Sequence, residues 1–104
     1  MKDKFIIIST TYPNLDKAKN LAKILLEKKL AACLQFCQIE SIYNWQHKVT
    51  QNSEILVTIK TIEPFYDRIE EIIINDHEYE VPEIISTLIN RGSDKYLSWI
   101  KSNF

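Results

Sequence analysis

The chain has 104 residues, 13 of them Lys or Arg and 14 Asp or Glu, for a formal net charge of −1 and a pI near 6.1. That balance excludes the basic footprint of a nucleic-acid-binding domain, and the length predicts one domain over residues 1–104. The single glycine excludes a P-loop and a dinucleotide fingerprint, which need several glycines to bring backbone against phosphate. With no long apolar run and no signal-peptide pattern after Met1, the expectation is a cytoplasmic protein away from membranes.

KFIIISTT, Lys4 to Thr11, is a short continuous apolar run and predicts a strand covered on both faces or central in a sheet. Tyr12 and Pro13 end it, and Asn14 is placed to cap a helix whose first turn carries Asp16. Leu15, Ala18, Leu21, Ala22, Leu25 and Leu26 recur at helical spacing, with lysines filling the other side as a solvated face.

LAACLQFCQIESIYNW, Leu30 to Trp45, predicts a strand two or three times the usual length of about 5–6 residues. Such a strand outruns its sheet. Its apolar set changes parity, from Ala32, Leu34 and Phe36 to Ile39, Tyr43 and Trp45, which predicts a bulge or sharp twist near Cys37 and Gln38. Tyr43 and Trp45 read as a subunit interface; the alternative is that they cover a loop of their own chain. Cys33 and Cys37 are four apart, roughly 13 Å on a strand, too far for a disulfide or shared metal. They read as small hydrophobes in the core of a cytosolic protein.

Gln46 to Ser53 predicts a polar turn region, and EILVTIKT, Glu54 to Thr61, a strand returning antiparallel to the long one. Lys60 on its less apolar face is either an ordinary edge charge or a group aimed at a ligand between subunits. Pro64 suits a first helical turn, with Phe65, Ile69, Ile72 and Ile73 following at helical spacing to about Asp76. Pro82 keeps the segment His77 to Val81 out of helix. Glu83 to Ile89 predicts a fourth strand, and Gly92, Ser93 and Asp94 a turn and cap before a short C-terminal helix.

The order β, α, long β, β, α, β is that of a split βαβ duplication, the α+β ferredoxin-like plait, with a long hairpin and an added C-terminal helix. HEYEVPE, residues 77–83, is the densest ionisable cluster. His77 with Glu78, Glu80 and Glu83 could ligate a divalent metal, but one chain does not supply a closed four-ligand zinc site, and a site shared across subunits is the remaining form. The other reading is a loop before the strand, in which Tyr79 and Glu83 make structural hydrogen bonds. No nucleophile turn or paired-carboxylate site marks an enzyme.

Taken together, LEKKLAACLQ, SIYNW, EILVTIKT, HEYEVPEI and YLSWI resemble the motifs of the CutA family of divalent-cation tolerance proteins nearly end to end. The resemblance implies a homotrimer of ferredoxin-like subunits joined through their hairpins, similar in architecture to the PII signalling proteins. It implies a cytosolic role in tolerance of copper and other divalent metals, and ligand clefts between subunits. His77 and Glu83 match the motif's His and Glu. Asp76 stands where some members have a second histidine, and is a possible third ligand. Thr10 stands where some members carry a copper-associated cysteine, so a site here would be richer in oxygen and nitrogen and poorer in affinity for Cu(I). Glu78 replaces a proline, His47 a glycine and Gln35 an asparagine. The expected cofactor is a divalent cation, copper first and zinc second, with Tyr43, Trp45 and Lys60 at the interface or cleft wall. The alternatives are a PII-like interaction module with incidental metal binding and, more distantly, a metal-dependent hydrolase.

Overall fold

The computed structural model describes residues 4–104. Strand β1 (Phe5–Tyr12), helix α1 (Leu15–Glu27), strands β2 (Cys33–Trp45) and β3 (Lys48–Ile62), helix α2 (Tyr66–Asp76), strand β4 (Ile84–Leu88) and helix α3 (Asp94–Ser102) follow in that order. The four strands form one antiparallel sheet in the order β2-β3-β1-β4. This is the ferredoxin-like arrangement expected from the alternation of elements.

Local chemistry sets the helix ends. The Asn14 side chain accepts from the Lys17 N–H at 3.0 Å, opening α1 as expected. At the other end the Leu30 N–H reaches the Leu25 carbonyl and the Lys29 N–H the Leu26 carbonyl, a Schellman closure with Lys29 left-handed at φ 56°. Pro64 lies in a 3-10 turn, Glu63–Phe65, that feeds α2, and Ser93 caps α3 by accepting from the Tyr96 N–H.

The sheet's two faces have different fates. Ile6, Ile8, Val57 and Ile59 point to one side and are closed over by Ala18, Leu21 and Leu25 of α1 and by Ile69 and Ile73 of α2. Each fully buried Ile or Leu contributes about 1.5–3 kcal/mol by leaving water. Register places Ile7, Cys37, Leu56 and Lys60 on the other side. There α3 meets one end of the sheet, where Lys60 Nζ donates to the Tyr96 hydroxyl at 3.2 Å and lies over its ring. Cys33 and Cys37 are free thiols on that side, and Cys37 is exposed rather than part of the core.

Two expectations are corrected. The β2–β3 pairing runs without interruption from Cys33↔Lys60 to Trp45↔Lys48, so of the bulge or sharp twist expected near Cys37 and Gln38 the bulge is excluded. Leu34 and Phe36 pack against the helix-covered core, whereas register turns Ile39, Tyr43 and Trp45 to the opposite face. The polar stretch after Trp45 is strand rather than turn. β3 begins at Lys48, leaving Gln46 and His47 as the whole turn, at φ 50° and 66°. Positive φ at both residues is the backbone that lets a two-residue turn follow the strands' twist.

β1 reaches only as far as Tyr12↔Ile55, so Ile39–Trp45 and Lys48–Glu54 continue as a two-stranded ribbon paired to nothing else among the described residues. The described chain measures 46 × 26 × 22 Å. The ribbon accounts for roughly 20 Å of the long axis, at about 3.3 Å per residue.

Candidate functional site

The site lies where the ribbon leaves the sheet, and the segment between α2 and β4 walls it. His77 ends α2 in extended conformation, with φ −82° and ψ 144°. Its Nε2–H donates to the Thr11 carbonyl at 2.5 Å, and its Nδ1 accepts from the Tyr79 N–H at 3.1 Å. That pairing assigns the neutral ring with its proton on Nε2. The imidazole sits between Tyr12 and Tyr79, with ring centroids at 4.4 and 4.6 Å.

Each flanking tyrosine holds a carboxylate. The Tyr12 hydroxyl donates to Asp76 Oδ2 at 2.8 Å; burial, reinforced by that bond and charge, pushes its ionisation well above the ordinary range. The Tyr79 hydroxyl donates to Glu54 Oε2 at 3.2 Å, and burial followed by the Glu54 charge raises its pKa to about 12. Lys17 and Glu78 form an ion pair across the segment; both side chains are about half exposed, so it contributes little.

A cavity of about 700 Å³ opens between this segment and the ribbon. Glu40, Ser41, Ile42, Tyr43 and Trp45 of β2 form one wall, Thr11 and Glu54 the floor, and Tyr79, Glu80, Val81 and Glu83 the other wall. Four carboxylates and three aromatic rings line it, and no Lys, Arg or His among the described residues does. Glu54 is only 6% exposed. The Asn52 side chain bonds the Tyr43 hydroxyl, and Ser53 bonds Glu40.

The structure divides the expected site residues. Tyr43, Trp45 and Glu83 meet in the cavity. His77 and Asp76 lie beside it, engaged with Thr11, Tyr79 and Tyr12. For His77 to ligate a metal, its ring must give up one of these bonds. Among the described residues no three His, Cys, Asp or Glu converge into a metal-holding group, so the expected trio does not form a site within one chain. Lys60 stands ten positions along β3 from Thr50, the register partner of Tyr43, and is bound to Tyr96 instead of facing the cavity. Sequence reasoning missed Glu40 and Glu54. The signal for Glu54 was a carboxylate opening an otherwise apolar strand.

Fold and site together define a ferredoxin-like, PII-like α+β protein with an acidic, aromatic-walled cleft at the root of a long hairpin. The chain belongs to the CutA1 divalent ion tolerance protein family, whose model matches residues 6–103. It is 42% identical over 99 residues to the chloroplastic protein CutA of Arabidopsis thaliana, covering 94% of this chain and 54% of that one. Thus the chain spans about half the length of the plant and mouse relatives it matches. Among solved structures it superposes on CutA1 of Shewanella sp. SIB1 with TM-score 0.92 at 43% identity, covering 99% of this chain and 97% of that one. It superposes on the periplasmic divalent cation tolerance protein CutA of Archaeoglobus fulgidus with TM-score 0.93 at 33% identity, covering 95% and 97%. These relatives carry chloroplast and periplasm in their names, so membership of the family does not assign a compartment. Among the described residues no helix is long and apolar enough to cross a membrane.

Proposed function

We propose that the chain acts in divalent-cation tolerance as a homotrimer, binding a cation in clefts between subunits without catalysing a reaction. The observation that carries this reading is the cavity itself: four carboxylates with no basic side chain favour a cation and disfavour an anionic ligand. It opens against a ribbon that lacks a third strand, and an isolated two-stranded ribbon is marginal in water, so a neighbouring subunit is the natural cover.

The donors fit a divalent metal only in part. They are carboxylate oxygens, suited to hard or borderline cations; neither cysteine lines the cavity, so Cu(II) or Zn(II) fits better than Cu(I). Glu83, with Glu40, Glu54 or Glu80, would supply oxygens, and a complete shell would draw on a second subunit. His77 and Asp76 join only by releasing their present bonds. A PII-like interaction module is the second reading, favoured by the exposed ribbon.

Equilibrium dialysis of metal-stripped protein against Cu(II) and Zn(II) tests the proposal. Stoichiometric uptake that falls at least tenfold in affinity in Glu83→Gln is expected. Absence of uptake, or uptake indifferent to Glu83, would overturn the metal assignment.

A further inference from the structure

Glu54 presents an unusual electrostatic situation. It is nine-tenths buried, and no Lys, Arg or His among the described residues pairs with it. Oε2 accepts the single Tyr79 bond, and Oε1 has no hydrogen-bond partner among the described residues. Unlike the sealed Thr10 hydroxyl, Oε1 stays reachable from the cavity, so a cation that enters can meet it. Glu54 forms the floor of the cavity, so a charge that enters there is the one it lacks.

The remaining lining indicates what kind of cation fits. Glu40, Glu80 and Glu83 are spread around the cavity, and no three carboxylates converge on a point as a bare metal ion requires within one chain. Between them stand the rings of Tyr43, Trp45 and Tyr79. Aromatic faces attract ammonium groups and pack against methylenes. A volume of about 700 Å³ lies in the range of small-molecule sites and far exceeds what one ion needs.

We infer that this cavity takes an aliphatic diamine or polyamine, one ammonium group against buried Glu54, another against Glu83 or Glu80, and the methylene chain along Trp45 and Tyr43. The inference rests on the cationic cleft proposed above and names an organic ligand class for it. Binding here is non-covalent and needs no metal.

The test is isothermal titration calorimetry of the full chain at its native oligomeric state in 150 mM NaCl, with 1,4-diaminobutane as probe and Zn(II) as a parallel titrant. Saturable diamine binding that weakens at least tenfold in Glu54→Gln, and in Trp45→Leu measured on protein whose light-scattering mass equals the parent's, is the expected result. Glu83→Gln, at an exposed position, provides a variant whose folding is not in question, and it too should weaken binding. Diamine heats unchanged in all three variants would mean general surface attraction and would overturn the inference. Zinc binding without diamine binding would overturn it while leaving the cationic cleft standing. Failure of both titrants would remove the cleft reading as well.

Discussion

The Tyr79 hydroxyl donates to Glu54 Oε2 at 3.2 Å, tying the extended segment after α2 to the sheet face opposite the helices. The bond joins the two walls of the cavity and satisfies one oxygen of its most buried carboxylate. Replacing Tyr79 with Phe keeps the ring beside His77 and removes that bond. The cost should be about 1–3 kcal/mol, the range for a buried polar group left unmet. A urea midpoint identical to that of the parent would show that the bond contributes nothing.

The same contact has a signature in alkali. Tyr79 holds its proton to about pH 12 in the folded chain against an ordinary value of 10.0. A folded pKa raised above the unfolded one means that stability from this group is full below pH 10 and is lost as pH climbs toward 12. Tyr12 is raised further, first by burial and then by Asp76. Spectrophotometric titration should therefore show tyrosines ionising late, with one late step missing in Tyr79→Phe. Ionisation of all five tyrosines together near pH 10 would contradict the geometry.

Thr10 has a fully buried hydroxyl with no hydrogen-bond partner among the described residues. Valine has the same shape without the polar atom and suits a central strand. Thr10→Val should stabilise the fold by about 1 kcal/mol, read as a higher urea midpoint at unchanged slope. A lower midpoint would mean that the hydroxyl has a partner in solution.

Gln46 and His47 hold positive φ at the hairpin tip, a conformation costing about 1–2 kcal/mol per ordinary residue. The double change Gln46→Asn, His47→Gly supplies the residue pair that this turn prefers. The melting temperature should rise; a fall would indicate that the tip's own side chains are engaged elsewhere.

His77→Ala removes two hydrogen bonds and a ring packed between two tyrosines, so it should cost about 2–3 kcal/mol. A variant as stable as the parent would release His77 from its structural role and return it to the pool of free metal ligands.

What could be read from the residues follows how local each cause is. The caps at Asn14 and Ser93, the helix faces and the β2–β3 hairpin depend on residues near one another in the chain, and all were legible, as was the order of elements along it. The start of β3 was not, because Lys48 to Ser53 stands in solvent on the ribbon and lacks the alternation that a buried face imposes. The Gln46–His47 turn was hidden for a related reason: neither residue is the Asn or Gly that ordinarily marks positive φ. The cavity was half visible. Tyr43, Trp45 and Glu83 belong to recognisable patterns, but Glu40 and Glu54 reach it through register and through a contact with Tyr79 25 residues away.

The ribbon beyond Tyr12↔Ile55 and the cavity at its root both lack a covering partner within the described chain, and in the proposed homotrimer two further copies take that role. Light scattering on the purified protein tests this most directly. A mass of about 37 kDa, three times the 12.3 kDa chain, independent of dilution and lowered by Trp45→Ala, is the predicted result. A stable 12.3 kDa monomer with the hairpin intact would contradict it.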